Sequence, residues 1–321
     1  MANLSIICVN WNSAAYLRDC IASIYERTHE VVFEIIVVDN GSTRGDPGTL
    51  QRDYPGVRIV TNDENLGFAK ANNLAYARSS GDCLLFLNPD TKLRNPAIDI
   101  MVREMAKIPD AGVVGCTLFN SDLSVQTESI QRFPRILNQL LDIECLRRRW
   151  PACRLWEIAP LFAEQQHPVR VEVIPGACML LKREVFEAVG GFSEEYFMYA
   201  EDIDLNYKVS RLGLGSYYVG QAQIIHHGGK SSRQQKLNYW ATAMKFRAML
   251  MFYRKTRGPF YAGVYRIAMG CAALVRLALL FPMLPFGRVL GRQGAVAGVV
   301  GKWGIVLQCA AGLRSWAPEQ R

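Results

Sequence analysis

Cys83-Leu84-Leu85-Phe86-Leu87-Asn88-Pro89-Asp90 is a run of five apolar residues that ends abruptly in a polar turn. Apolar residues without alternation suit a strand covered on both faces, as in the middle of a parallel sheet. Proline cannot donate to a ladder, and it biases the residue before it toward extended backbone, so Asn88-Pro89 marks the strand's end. The turn presents Asp90 beyond the carboxyl end of a buried strand, where open α/β sheets bind their ligands.

The flanking sequence repeats the same unit. Residues 4–10, 33–39, 57–61 and 113–119 are β-rich, and residues 14–25, 66–78 and 96–108 carry helical spacing, the last with Pro96 in its first turn. Strands separated by helical spans imply βαβ units and a mostly parallel central sheet with flanking helices. Residues 121–169 are less regular and contain Arg147-Arg148-Arg149-Trp150-Pro151, expected as a loop or helical excursion. Residues 171–181 read as a strand pair around Pro175-Gly176-Ala177. Residues 182–189 form a short helix stopped by Gly190-Gly191, residues 203–212 a helix with Asp204 in its first turn, and residues 216–225 a further strand.

A chain of 321 residues, 50% hydrophobic, can bury a full core as one large domain, or one domain plus an appendage. Nine cysteines without a Cys-x-x-Cys pair argue against a zinc cluster, and an odd count without a framework fits a reducing, cytoplasmic setting. The first strand begins almost at once, with no basic leader, so no signal peptide is expected.

Charge divides the chain. Residues 230–321 hold 15 basic residues and one acidic residue, a net of +14. The remainder holds 22 basic and 28 acidic residues, a net of −6. The basic region is also rich in Trp, Phe, Leu and Met. Stems and rings of this kind enter a membrane interface while the cations meet lipid phosphates, so an anionic membrane surface is favoured over nucleic acid. Arg276 lies near the centre of the apolar run 267–285, and a central arginine costs about 2.5–3.5 kcal/mol on insertion scales. A shallow, interfacial helix is expected there. Residues 289–313 are Gly-rich and interrupted by Arg292 and Lys302, a weaker case still for spanning. The division is set at 1–232 for the α/β domain and 233–321 for a helical, membrane-associating region.

The chemistry concentrates at strand ends and in one acidic run. Asp90 suits a hard cation that bridges phosphates, although an exposed turn aspartate is the plainer reading. Tyr199-Ala200-Glu201-Asp202-Ile203-Asp204-Leu205 offers a carboxylate base for a hydroxyl nucleophile. Acids at a helix N-terminus also favour the macrodipole, which accounts for Asp204 well. Tyr196, Phe197, Met198 and Tyr199 lead into these acids and suggest a cleft on which a sugar stacks. His226 and His227 point to opposite faces if the strand persists, so at most one reaches the site, as a metal ligand or a structural group. Asp39, before Asn40-Gly41, could accept from a base or ribose donor, or cap a turn.

In order, Ile7-Cys8-Val9-Asn10-Trp11-Asn12, Val37-Val38-Asp39-Asn40-Gly41-Ser42, Asn65-Leu66-Gly67-Phe68-Ala69, Leu87-Asn88-Pro89-Asp90, Pro175-Gly176-Ala177, Gly190-Gly191-Phe192 and the acidic run resemble family 2 inverting glycosyltransferases. The subgroup is similar to bacterial rhamnosyltransferases of cell-surface polysaccharide synthesis. The resemblance covers about residues 3–232 and implies an A-type, Rossmann-like glycosyltransferase fold. It places Asn12 and Asp39 at the base and ribose, with Asn65 nearby and Glu201 on the nucleotide sugar. Asn88 and Asp90 are the outer members of an Asp-x-Asp signature whose first member is here asparagine. That leaves Asn88 a ribose or water-mediated role and puts Asp90 on Mn²⁺ or Mg²⁺. Asp202 matches the general base and His226 a metal ligand found in some members. The implied partners are a nucleotide diphosphate sugar, with dTDP-rhamnose the best guess, and a lipid-linked saccharide at the cytoplasmic face of the inner membrane, with the enzyme bound peripherally.

Two other classes stand beside this one. A nucleotidyltransferase also pairs an α/β sheet with a metal and carboxylates, but no Gly-rich phosphate loop with a suitably placed base is present; Gly67-Phe68-Ala69-Lys70 is a poor match. A non-catalytic module with a sugar-nucleotide pocket would not need both Asp90 and Asp202. A dehydrogenase is disfavoured because Asn10-Trp11-Asn12-Ser13 follows the first strand in place of Gly-x-Gly-x-x-Gly.

Overall fold

The computed structural model describes residues 3–45, 47–126, 131–141, 167–228, 239–283 and 293–314. The Arg147–Pro151 cluster, Gly229–Ser231 and Arg292 lie outside them. In chain order the elements are β1 (Asn3–Asn10), α1 (Ala14–Arg27), β2 (Val32–Asn40), a 3-10 turn (Pro47–Thr49), α2 (Leu50–Asp53), β3 (Val57–Asn62), α3 (Phe68–Tyr76), β4 (Cys83–Leu87), β5 (Thr91–Leu93), α4 (Ala97–Lys107), β6 (Ala111–Phe119), α5 (Ile136–Leu141), β7 (Val169–Val171), β8 (Cys178–Lys182), α6 (Arg183–Ala188), α7 (Glu201–Arg211), β9 (Gly215–His226), α8 (Tyr239–Leu280) and α9 (Gln293–Ala311). They form two compact units. One comprises residues 1–133, 149–197 and 201–231; the other comprises residues 134–148, 198–200 and 232–321.

The first unit is built on one sheet, ordered β3-β2-β1-β4-β8-β6-β9-β5, with β7 paired to β9. β3, β2, β1 and β4 run parallel, as do β6 and β9. β8 enters antiparallel between β4 and β6, and β5 and β7 pair antiparallel to β9. The sheet is thus mostly parallel, with short antiparallel strands among the later ones. All five residues of β4 are buried. Alternate side chains explain why. Leu85 and Leu87 pack with Leu17 and Ile21 of α1 and with Met101 of α4, while Leu84 and Phe86 pack with Ala71 of α3, Phe186 of α6 and Leu205 of α7. Helices cover both faces, so no polar residue is tolerated on either.

The chain leaves β1 toward β2 and β3 on one side and returns to β4 on the other. The strand order therefore reverses between β1 and β4, and the carboxyl ends at such a switch point are where open α/β sheets bind ligands.

Three expectations change. β7 and β8 do not pair with each other; β7 lies on β9, and β8 is inserted beside β4, so Pro175-Gly176-Ala177 is the segment leading into β8 and not a hairpin turn. α7 starts at Glu201, two residues before the expected start, because Tyr199 and Ala200 adopt left-handed backbone, φ 72° and 63°, and the helix can begin only after them. β5 escapes the sequence pattern because three residues carry too little alternation to read.

In the second unit, α8 is two helices joined at Gly258, whose φ of 86° and ψ of 169° are non-helical, with Pro259 next. α8 is long and apolar enough to cross a membrane, with a mean hydropathy of 1.6 in its most apolar window. Arg276 lies at the expected place, but its guanidinium donates to the Leu140 carbonyl and stacks 4.0 Å from the Trp303 ring centre. Within the Gly-rich run, residues 293–311 form one helix, α9, which continues through Lys302; Gly301 there lets the Tyr239 ring approach its backbone.

Asn206 is fully buried and fully used. Its Oδ1 accepts from Ile174 N–H (3.1 Å) and Ser216 Oγ (2.7 Å), and its Nδ2 donates to the carbonyls of Ile174 (2.9 Å) and Asp202 (2.8 Å). Asn206→Ala leaves these buried groups without partners and is expected to lower unfolding free energy by roughly 2–4 kcal/mol, read as a shift in the urea midpoint.

Candidate active site

Two polar clusters occupy the ends of the parallel strands. The first joins β1 and β2. Asn10 Nδ2 donates to Asp39 Oδ1 (3.0 Å) and to Ser42 Oγ (3.2 Å), and Asp39 is buried. Asn12 takes a left-handed φ of 55°. Its Oδ1 accepts from the N–H groups of Thr43 (2.9 Å) and Arg44 (2.8 Å), so this oxygen shapes the loop after β2. Asn65 Oδ1 accepts from Asn40 Nδ2 and from Gly67 N–H, both at 2.9 Å. Asn40 Oδ1 in turn takes the N–H of Leu66 at 3.0 Å. Gly67 needs its φ of 82°, and a Cβ there would strike the Phe197 carbonyl. That carbonyl accepts the first N–H of α3, from Phe68, at 2.8 Å.

The second cluster lies beyond β4. Asn88 N–H donates to the Ala177 carbonyl (3.0 Å), and its Nδ2 meets His226 Nε2 at 3.3 Å. Asp90 Oδ1 lies 3.4 Å from the same Nε2. The antiparallel pairing of β5 with β9 sets this contact: Thr91 is opposite His226, and His227 N–H donates to the Asp90 carbonyl. His226 Nδ1 is 3.1 Å from Gln126 Oε1, and Gln126 Nε2 donates to the His226 carbonyl. Nδ1 thus carries the proton in this network and Nε2 offers a lone pair to Asn88. Asp90 Oδ1 stands beside this contact, so an oxygen and a nitrogen donor lie next to each other. Among the described residues no group of three or more His, Cys, Asp or Glu side chains could hold a metal ion. Asp90 and His226 are a pair with mixed oxygen and nitrogen donors. They suit a cation that takes its other ligands from phosphates and water. His227 turns elsewhere, bonding Ser121 Oγ at 2.8 Å beside the Tyr16 ring.

Asp202 joins this cluster through the segment before β8. Its Oδ2 accepts Gly176 N–H and its Oδ1 accepts Ile203 N–H, both at 2.8 Å. The next residue, Ala177, holds Asn88. A Cβ on Gly176 would touch both Asp202 and the Phe68 ring. Burial raises the Asp202 pKa, against the lowering effect of these N–H bonds. At Asp90 burial also acts upward, but the hydrogen bond and charge of His226 prevail and the pKa is lowered. Glu201 is 7% exposed, and its Oε2 has no hydrogen-bond partner. Burial first, then the neighbouring Asp202 charge, raise its pKa far above the ordinary carboxylate value.

Asn88, Asp90 and His226 therefore meet directly, Asp202 reaches them through Gly176-Ala177, and Asn12, Asp39 and Asn65 form the separate cluster at β1 and β2. The aromatic lead-in differs from expectation at Tyr196. It is 1% exposed, and its hydroxyl faces Asp204 at 3.3 Å, so it packs inside and offers no stacking face. Asp204 also accepts from Ser193 and lies 3.7 Å from Lys208; it pins the loop before α7. Gln126 was not legible as a site residue. It sits 100 positions from His226 in no motif, and only the fold brings it there.

A family model described as "Glycosyl transferase family 2" matches residues 5–190. N-acetylglucosaminyl-diphospho-decaprenol L-rhamnosyltransferase of Mycobacterium tuberculosis is 30% identical over 255 residues, covering 75% of this chain and 81% of the relative. Rhamnosyltransferase WbbL of Escherichia coli K12 is 25% identical over 255 residues, covering 75% and 90%. Among solved structures, the mannosyltransferase PcManGT of Pyrobaculum calidifontis, in complex with GDP-Man and Mn²⁺, superposes with a TM-score of 0.58 at 17% identity. The match covers 96% of this chain and 86% of that one and shows a shared fold. The sheet order and the match over more than half the sequence lead to one conclusion: the chain belongs to glycosyl transferase family 2.

Proposed function

We propose that the protein transfers L-rhamnose from dTDP-rhamnose to a hydroxyl of a lipid-linked saccharide, with inversion, in cell-surface polysaccharide synthesis. The names of the relatives from M. tuberculosis and E. coli support the sugar, and the first supports a polyprenyl-diphosphate acceptor. The observation that carries the chemistry is Asp202. Two backbone N–H groups hold its carboxylate, one segment links it to Asn88 and Asp90, and its environment makes it more basic than an ordinary aspartate.

In the reaction Asp202 takes the proton of the acceptor hydroxyl as that oxygen bonds to the anomeric carbon. The bond from this carbon to the diphosphate oxygen breaks on the opposite face, so one displacement inverts the configuration and no enzyme-bound intermediate forms. Asp90 and His226, with Asn88 alongside, would hold a divalent ion that offsets the charge of the departing diphosphate. PcManGT, which shares the fold, was solved with Mn²⁺, which supports a divalent ion in the reaction. Asn12, Asp39 and Asn65 are assigned to the base and ribose. Glu201, kept protonated by burial, is assigned a hydrogen bond donated to the donor sugar. Residues 1–232 would carry the transfer, and residues 233–321 would hold the enzyme peripherally at the cytoplasmic face of the inner membrane.

Asp202→Asn is expected to lower turnover by about 10²–10⁴-fold while dTDP binding persists, measured by product formation and titration calorimetry on a panel of nucleotide sugars. Retained turnover removes Asp202 from its role. In the wild type the acid limb of the rate profile should lie above the pH of an ordinary aspartate, because the base works only when ionised.

Asp90→Ala should weaken dTDP-rhamnose binding in Mn²⁺ and leave it unchanged in EDTA; equal weakening in both would dismiss the metal assignment.

The folded-state pKa of Glu201 lies above its unfolded value. Between the two the native state holds an extra proton, so stability falls as pH rises through that window. Glu201→Gln should flatten this fall in urea melts run from mildly acidic to mildly alkaline pH.

A further inference from the structure

The second half of α8, from the Gly258 kink to Leu280, leaves one side bare. Phe260, Val264, Ile267, Leu274, Val275 and Leu279 are exposed, at 84%, 70% and 66% for Phe260, Ile267 and Leu279. Their spacing puts them on one side of a helix about 30 Å long. The opposite side is packed: Tyr265, Met269 and Ala273 are buried. Two charges occur in this half, and neither lies on the bare face. Arg276 turns onto Trp303, and Arg266 lies at the edge with its Nε on the Ala310 carbonyl. Arg254, Lys255 and Arg257 are exposed just before the kink. No acidic residue occurs between Asp204 and Glu319.

We infer that this face is the membrane-binding surface and that it lies in the plane of one leaflet, its apolar side chains among the acyl chains of an anionic bilayer and its cations among the lipid phosphates. A contiguous apolar face without charges marks an interaction surface on a protein. A second copy of the chain does not suit it, since two regions of 15 bases and one acid each would be brought together. Spanning does not suit it either. Arg266 is exposed two turns beyond Phe260 and would sit within hydrocarbon, whereas in the plane it reaches the headgroups from the edge of the face. This deepens the proposed membrane association by naming its surface and orientation.

The test uses the full chain and vesicles of phosphatidylglycerol with phosphatidylethanolamine, against phosphatidylcholine alone. Wild type should bind the anionic vesicles and be weakened by salt. Ile267→Asp and Leu274→Asp should each bind at least about tenfold more weakly. Val32→Asp, an exposed position on the other compact unit, should bind as wild type does. Cys271 lies on the bare face. Labelled there in a Cys145→Ser, Cys153→Ser background, a fluorophore should be quenched best by nitroxides near the headgroups. Best quenching by nitroxides at the chain ends would overturn the in-plane orientation. Unchanged binding by the two aspartate variants would overturn the surface. So would a concentration-dependent dimer of wild type that these variants dissociate. Vesicle binding without turnover on any nucleotide sugar would sink the transferase reading and leave this surface standing.

Discussion

One buried amide holds the candidate site together. Asn206 reaches back to the first turn of its own helix, across to both backbone groups of Ile174, and on to Ser216 at the start of β9. Ile174 leads into Pro175-Gly176-Ala177, the segment that grips Asp202 on one side and Asn88 on the other. The position of Asp202 relative to β4 is therefore not left to loop packing. It is set by hydrogen bonds that have no water to exchange with, and such bonds are costly to leave unmade.

The same economy appears at the strand ends. Asn40 and Asn65 spend their side chains on backbone groups around Gly67, and Asn12 does so around Thr43 and Arg44. Side-chain amides here do the work of turns. They fix loops that contain little regular structure of their own.

The parallel half of the fold was legible because both faces of β4 are covered, and double coverage writes itself as Cys83-Leu84-Leu85-Phe86-Leu87. The acids and His226 stood out by type and position at strand and helix ends. The antiparallel insertion of β8 was not legible, because a short buried strand reads alike in either direction. The early start of α7 was hidden by two left-handed residues, Tyr199 and Ala200, neither of which is glycine. Tyr196 looked like part of a sugar platform because exposure cannot be read from residue type. The partnership of Gln126 with His226 depends on β9 closing over β6, a long-range event that leaves no local mark.

The pairing of β5 with β9 carries a consequence for synthesis. Asn88 and His226 are 138 positions apart, and β9 is the last of the described strands to leave the ribosome. A nascent chain that has emerged only through β6 can assemble the parallel strands and their helices, yet it holds Asp90 with no imidazole opposite. Loop closure over so long a stretch is slow compared with local folding. The contact of His226 with Asn88 and Asp90 thus waits for β9, and a polypeptide that stops short of this strand lacks it whatever else has folded.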